Sequence, residues 1–492
     1  MRNYTLITGA TGLLGAYLLR NFLICDVPCA VLVRSTRFAS ARQRVESILA
    51  RWEKAIGRVL PRPVVLEGSL SENLGLDAEK TDWVRRRCAR LVHNAASLAF
   101  ERIPETNEPY RSNVDGTKHA VEFALKCGIP QFHHVSTAYV CGLRDGVCYE
   151  SELDVGQDWG NDYERAKVAA EKIVRSAPFP EPPTFYRPGI ITGDSVTGYT
   201  STYHGFYTPL KVVAPIQLNY GFRIPFESLF QILGMEGYER KNFTPVEWIG
   251  QAIVALVNNP RNVGKTFHLT PRERVTVGRM YEIFSKSIRK RLAQKDASEA
   301  AARRKASVRP EVLEATLASI RDQMGVYRSY WRDDPVFDLS NTNEALPDLP
   351  CPEMNEDVLT RLTEFALDAN FGWPKPKPLY PDAFVDDFFV VKPTFRSTER
   401  PSFVASLEVR GVGGGAWSAT IRNGRVEAFE EGLDSDADAK LTTNARTFDH
   451  IRFGRATPEQ ALASGAILWE ARDVKALPSE NAARFLAYAT RR

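Results

Sequence analysis

The chain has 492 residues, 43% hydrophobic and 25% charged, and its 64 basic and 60 acidic side chains leave a net charge of +4. That balance excludes a disordered or membrane-embedded polymer, and the near-cancelling charge gives no whole-chain pull toward nucleic acid or an acidic membrane. The length exceeds one ordinary core, so two or more domains are expected.

From the amino terminus, short apolar runs alternate with helical patterns, as parallel βαβ units do. "YTLIT" (4–8) reads as a strand and "GLLGAYLLRNFL" (12–23) as a helix. Between them "TGATGLLG" places Gly9, Gly12 and Gly15 for a tight turn, close approach of backbone to a pyrophosphate, and close helix–strand packing. The N–H groups opening the helix then face the phosphates. "CAVLVR" (29–34) is the second strand. A carboxylate at its end would bond the ribose hydroxyls of NAD, whereas a 2′-phosphate needs a cation. Arg34 stands there, with Arg37 and Arg44 as helpers, so NADPH is the expected cofactor.

A helix over 40–56 and strands over 63–68, 90–96 and 131–140 continue the series, with a helix over 112–128 stopped by Gly128. "GNDYERAKVAAEKIVR" (160–175) is an amphipathic helix that puts Tyr163 and Lys167 on one face, a turn apart. Most such pairs only cover surface. Beside a nicotinamide, however, a proton donor is needed, and a phenol of pKa about 10 requires a neighbouring cation to work at neutral pH. A hydroxyl from "VSTAY" at the end of the preceding strand could polarise the substrate oxygen. "PTFYRPGIIT" (183–192) is the next strand, and the order implies a doubly wound parallel sheet.

Residues 195–240 are rich in Tyr, Phe and Leu, which fits either the ordinary core of a small substrate lobe or an apolar acyl pocket. The charged stretch 284–310 reads as a solvated helix face rather than a docking patch for an acidic partner. "GWPKPKPLYPD" is a stiff Pro-rich linker, assigned to 372–383, that separates residues 1–371 from a domain over 384–492. In that domain "SLEVRG", "AWSATIR" and "RVEAFEE" read as strands, with Asn423-Gly424 as a hairpin turn, followed by helical pieces "TFDHIRFG" and "TPEQALASG". The seven cysteines form no close C-x-x-C pair, and none of the seven histidines falls in a metal-ligand pattern, so no metal is expected. His133 and His134, in a strand, read as structural. With no leader pattern and no apolar run of about 18–20 residues, a cytoplasmic protein without an integral membrane segment is expected.

Together, TGxxGxxG, "HNAA", "VSTAYVCG", Tyr-x-x-x-Lys and "YRPG" resemble the extended short-chain dehydrogenase/reductases. "LVHNAA", "SNVDGTKHAVEFA", "NDYERAKVAAEKIV", "YRPGIITGDSVTGY", "FTPVEWIGQAIVAL", "GKTFHLT" and "PVFDLSNTNEAL" look like that superfamily's thioester-reductase and fatty acyl-CoA reductase branch, over roughly residues 4–370. The resemblance implies a Rossmann-type fold with a substrate lobe mainly in 195–245 and 270–371. It makes Tyr163 the general acid, Lys167 its electrostatic partner, Thr137 the catalytic hydroxyl and Asn113 the residue that steadies the active-site helix. Ala95 and Ala96 would line the cofactor, Pro188 and Gly189 would sit near the carboxamide, and Ser136 would pack or bond nearby. Thr8, Thr11, Leu13, Leu14, Leu70, Asn94 and Ile190 complete the implied cofactor-binding set. The branch usually has Gly-Asp-Leu where this chain has "GSL", so Ser69 replaces a charged contact to adenine.

By this likeness the substrate is an acyl thioester, on CoA or an acyl-carrier protein. Its carbonyl would receive hydride, take a proton from Tyr163 and collapse to aldehyde and thiol; a second hydride would give alcohol. The tail is similar to sterol carrier protein-2-like domains, through "AWSATIRNGRVEAFEEG", "ADAKLTTNARTFDHIRFGRATPEQALASGAI" and "ENAARFLAYA". It implies a lipid ligand; the plainer reading is a dimerisation module without a tunnel, making a homodimer. "ILWEARDVKAL" departs from that family's usual Gly-Asp. Competing readings are a hydroxysteroid-type dehydrogenase, a sugar-nucleotide epimerase or dehydratase, and a lipid carrier on a non-catalytic reductase scaffold.

Overall fold

The computed structural model describes residues 2–220, 235–298, 325–373, 384, 402–422, 425–473, 477 and 486. Seven strands form one parallel sheet: β1 (Tyr4–Thr8), β2 (Cys29–Val33), β3 (Val64–Glu67), β4 (Cys88–His93), β5 (Gln131–Val135), β6 (Thr184–Pro188) and β7 (Thr266–Leu269), in the order β7-β6-β5-β4-β1-β2-β3. β1 and β2 are buried throughout, as strands covered on both faces must be. The chain winds outward from β1 to β3, then returns to the other side of β1 as β4. The loops after β1 and β4 therefore diverge and open a crevice at the carboxyl ends of the strands.

Helices cover both faces. Tyr17, Leu18 and Phe22 of α1 (Leu13–Ile24) and Trp52 of α2 (Ala41–Ile56) pack on one side with Ile249 and Ile253 of α7 (Val246–Asn258). The other side holds Val84 of α3 (Ala78–Arg87), Phe123 of α4 (Gly116–Lys126) and Val174 of α5 (Asp162–Ser176). α2 opens with a Ser40–Gln43 capping box and ends at left-handed Gly57. A further core joins Leu210 of α6 (Tyr207–Tyr220), Met280 and Phe284 of α8 (Val277–Ser298) and Leu359 and Leu362 of α9 (Glu356–Asp368). This lobe roofs the crevice.

Three sequence expectations differ in detail. The strand expected over 131–140 ends at Val135, and Ala138–Cys141 turn as a 3-10 helix because the Thr137 hydroxyl accepts from the Tyr139 N–H. The helix expected over 112–128 begins as a π turn, Arg111–Asp115, before α4. The strand expected over 183–192 splits: β6 stays in the main sheet, and Ile190–Thr192 pairs with Phe243–Pro245 in the lobe.

A second sheet has the order β10-β9-β8-β11-β12, from β8 (Phe403–Arg410), β9 (Gly415–Arg422), β10 (Arg425–Glu431), β11 (Ala439–Asn444) and β12 (Ile467–Ala471). Its core takes Leu407, Trp417, Ile421 and Leu441, with Phe448 of α10 (Ala445–Arg452) and Ala461 of α11 (Pro458–Ala463). It meets the first sheet at the start of β1: Tyr4 Oη accepts from Leu433 N at 2.6 Å, Trp83 Nε1 donates to the Glu431 carbonyl, and Arg86 pairs with Glu430 at 2.9 Å. Residues 374–383 of the expected linker, the Asn423-Gly424 turn and most of "ENAARFLAYA" lie outside the described residues. All seven cysteines are free thiols, and among the described residues no helix is long and apolar enough to cross a membrane.

Candidate active site

One cavity of about 540 Å³ follows the carboxyl ends of the strands and continues under the lobe. Its floor is the loop between β1 and α1. Gly9 is left-handed at φ +71°, and a Cβ there would lie 2.7 Å from the Ala95 backbone. A Cβ on Gly15 would lie 2.0 Å from the Gly9 carbonyl oxygen, so this glycine is required by packing and does not line the cavity. Gly12 caps α1 without a side-chain hydrogen bond, and the first turn carries no acidic residue. The N–H groups at this helix end are thereby left to an anion, and the cradle fits the pyrophosphate of a dinucleotide. Arg44 ties the region together, donating to the Arg34 carbonyl at 2.6 Å and to Thr11 Oγ1 at 3.0 Å.

Thr8, Gly9, Thr11, Gly12, Leu13, Leu14, Arg34, Arg44, Ser69, Leu70, Asn94, Ala95 and Ala96 all line this half, so the sequence-predicted set converges except for Gly15. Arg37 is not in the lining; its guanidinium lies over the Phe38 ring, 4.4 Å from the centroid. The Ser69 hydroxyl already has a partner, Ser71 Oγ at 3.0 Å.

Ser136, Thr137, Tyr163, Lys167, Pro188, Gly189 and Ile190 line the middle of the same cavity. Asn161 sets the start of α5: its Oδ1 accepts from Glu164 N at 3.0 Å, and its Nδ2 donates to Ser329 Oγ and Tyr330 Oη at 3.2 and 3.1 Å. Asp162 accepts from Tyr110 Oη and the Arg102 N–H, both at 2.9 Å. These bonds fix the rotation of α5 and place Tyr163 with Thr137 in the lining of the same cavity. Lys167 Nζ donates to the Val135 carbonyl at 2.8 Å.

Burial pushes the Tyr163 phenol up to about 12, against the pull of the Thr137 hydroxyl, and Glu164 raises it further. Burial also pulls the Lys167 ammonium down to about 8, with Glu171 opposing. The sequence expectation that Lys167 lowers the phenol is thus corrected: desolvation dominates and keeps the proton on Tyr163. Behind Lys167, burial works against a charged Glu171, yet bidentate Arg187 at 2.9 Å helps hold it down to about 2.

Asn113 lies outside the lining. It is buried in the π turn, accepting from Ser97 N at 2.7 Å and donating to Ser97 O at 3.1 Å. It therefore fixes the loop after β4. His133 bonds Tyr186 Oη at 2.9 Å inside the sheet. Among the described residues no His/Cys/Asp/Glu group could hold a metal.

Sequence reasoning placed the substrate lobe over 195–245 and 270–371 but named none of its wall residues, and it missed Leu98 and Phe100. Phe100 sits edge-to-face with Tyr327 and Tyr330 at 5.0 and 5.4 Å and tilted against Tyr163 at 5.8 Å. Leu98, Phe243, Val277 and Met280 add apolar surface, and Lys241 is held by Asp334 at 3.1 Å. Tyr139 stood inside a quoted motif, but nothing local marked residues 327–330 as part of the site.

The NAD_binding_4 family model, described as Male sterility protein, matches residues 7–253. The nonribosomal peptide synthetase asaC of Aspergillus flavus is 27% identical over 281 residues, covering 54% of this chain and 26% of that protein. The aldehyde reductase lnbA of the same organism is 25% identical over 290 residues, with the same coverage of each. The chain thus spans about a quarter of the length of these curated relatives. The solved terminal R domain from the myxalamid PKS-NRPS biosynthetic pathway superposes with a TM-score of 0.58 at 24% identity, covering 76% of this chain and 93% of that one. With a dinucleotide cradle at the switch point and a family match across half its length, the chain belongs to the Male sterility protein family of NAD-binding domains.

Proposed function

We propose that the chain is an NADPH-dependent reductase of an acyl thioester, carried on CoA or an acyl-carrier protein, that releases an aldehyde and, in a second round, an alcohol. The observation that carries this reading is one continuous cavity joining the dinucleotide cradle, the Thr137–Tyr163–Lys167 group and an apolar chamber. Arg34, just past the end of β2 where an NAD enzyme has a carboxylate, and Arg44 of α2, which donates to the Arg34 carbonyl, favour a 2′-phosphate. The names of the two curated relatives, a peptide synthetase and an aldehyde reductase, support thioester reduction to an aldehyde.

When bound, the nicotinamide supplies hydride. On the protein side, the Thr137 and Tyr163 hydroxyls line the same cavity and would hold the substrate carbonyl oxygen between them. Tyr163, kept protonated by burial, donates its proton as negative charge develops there. Lys167 then stabilises the phenolate with its ammonium. As the carbonyl reforms and the C–S bond breaks, the hydroxyl proton passes to the departing sulfur, the thiol leaves, and the Tyr163 phenolate recovers its proton from solvent. Leu98, Phe243, Val277 and Met280 exclude water from the acyl side. In this reading residues 1–371 are the reductase unit and 384–492 an attached module.

NADPH and NADH consumption is measured with a panel of acyl-CoAs and acyl-carrier thioesters, with products identified by mass. Aldehyde or alcohol from at least one thioester is expected, faster with NADPH. Turnover of a sterol or sugar nucleotide with no thioester reduced would sink the reading.

A further inference from the structure

His93, the histidine of "HNAA", is 1% exposed and takes no part in the chemistry described above. It sits at the end of β4, in register with Thr8 at the end of β1. Each ring nitrogen has one partner: Nδ1 lies 2.9 Å from Thr8 Oγ1 and Nε2 lies 3.1 Å from Thr117 Oγ1 of α4.

Counting donors assigns the proton. Thr8 Oγ1 accepts from the N–H groups of Asn94 and Ala95, both at 3.2 Å, so its own hydrogen is the one left to give, and it goes to Nδ1. At the other end the Thr117 hydroxyl gives its hydrogen to the Asn113 carbonyl at 2.7 Å, so its oxygen must accept from Nε2. Two independent accounts reach the same neutral Nε2–H tautomer. The chain then runs one way: Thr8 to His93, His93 to Thr117, Thr117 to the Asn113 carbonyl, while the Asn113 side chain clamps Ser97 on both sides. Burial and nearby Lys167 both disfavour a charged ring, and pull His93 down to about 3.

We propose that His93 is a positioning residue: its neutral imidazole couples the dinucleotide loop to the π turn of Asn113, so that seating the nucleotide stiffens the cavity wall at Ala95–Ser97. Thr8 and Asn94–Ala95 belong to the cradle, and Thr117 and Asn113 belong to the helix behind the reacting centre. Among the described residues, His93 is the one side chain bonded to both threonines. The inference rests on dinucleotide binding by this cavity and not on the thioester reading.

The test uses the full chain, with NADPH and NADH as probes and Thr117→Val and Thr117→Ser as variants, since Thr117 lies outside the cavity. Nitrogen-15 spectra of labelled histidine in the nucleotide-free protein are expected to show a neutral His93 protonated on Nε2. In the wild type and in Thr117→Ser, nucleotide binding is expected to slow amide exchange over residues 94–117 by about tenfold. Thr117→Val should bind the nucleotide within about threefold of wild-type affinity yet slow exchange only in the loop over 8–15. A His93 protonated on Nδ1 overturns the proposal, as does a Thr117→Val protein whose 94–117 segment still stiffens. Because the tautomer is read without nucleotide, failure of the relay is distinguishable from failure of binding.

Discussion

At the scale of single residues, the site holds two groups in the state that burial dictates. Tyr163 keeps its proton, so it is poised as an acid, and Tyr163→Phe should lower turnover about 100- to 10,000-fold while leaving nucleotide affinity unchanged. Steady-state rates with titration of the nucleotide check this; retained turnover would remove Tyr163 from the mechanism. Lys167 has the opposite problem. Its ammonium is held near 8, below its ordinary value of 10.5, so between those values the unfolded chain binds more protons than the folded one. Stability from this group therefore rises as pH climbs through that window, and below it the buried charge opposes folding. Denaturant melts of wild type and Lys167→Met at pH 7 and pH 10 should show the wild type gaining on the variant, by roughly 2–3 kcal/mol, as pH rises. A constant difference would mean that Lys167 is solvated in the folded state.

At the scale of elements, β1, its glycine turn and α1 act as one part. Gly15→Ala would push a methyl into the Gly9 carbonyl, so the loop or the helix must shift. A loss of about 1–3 kcal/mol and a marked weakening of dinucleotide binding are expected, read by thermal melts and isothermal titration. Wild-type affinity in Gly15→Ala would show that the turn is not the cradle. This motif was legible because Gly9 and Gly15 each answer a local steric demand. Tyr163 and Lys167 were legible because helical spacing put them on one face, and the protein-wide order of motifs supplied the context. The Phe100–Tyr327–Tyr330 wall was not, because its rings come from segments more than 200 residues apart and meet only through tertiary packing. The π turn before α4 was invisible for a different reason. Its backbone is helical on both sides, and only the Asn113–Ser97 clamp distinguishes it from an ordinary helical start. The phenol's raised pKa was misjudged because spacing reports proximity to a cation but not removal from water.

At the scale of the whole molecule, the five-stranded sheet joins the larger one through β10 and the segment after it, against α3 and the first residue of β1. Arg86 and Arg87 both reach Glu430, and Arg87 also reaches Asp434 at 3.4 Å. Glu430→Lys sets a third cation against these two and should free the module, so that limited proteolysis severs the chain between the two sheets several-fold faster. Dinucleotide affinity should stay within about twofold, since no residue of that contact lines the cavity. Unchanged cleavage would mean that Trp83 and Tyr4 hold the contact without the charges. The contact lies at the opposite pole of β1 from the glycine turn, and five residues of strand put roughly 13–17 Å between them. A dye, bead or sensor surface attached to the five-stranded sheet would therefore hold the molecule by its back, with the mouth of the cavity left open.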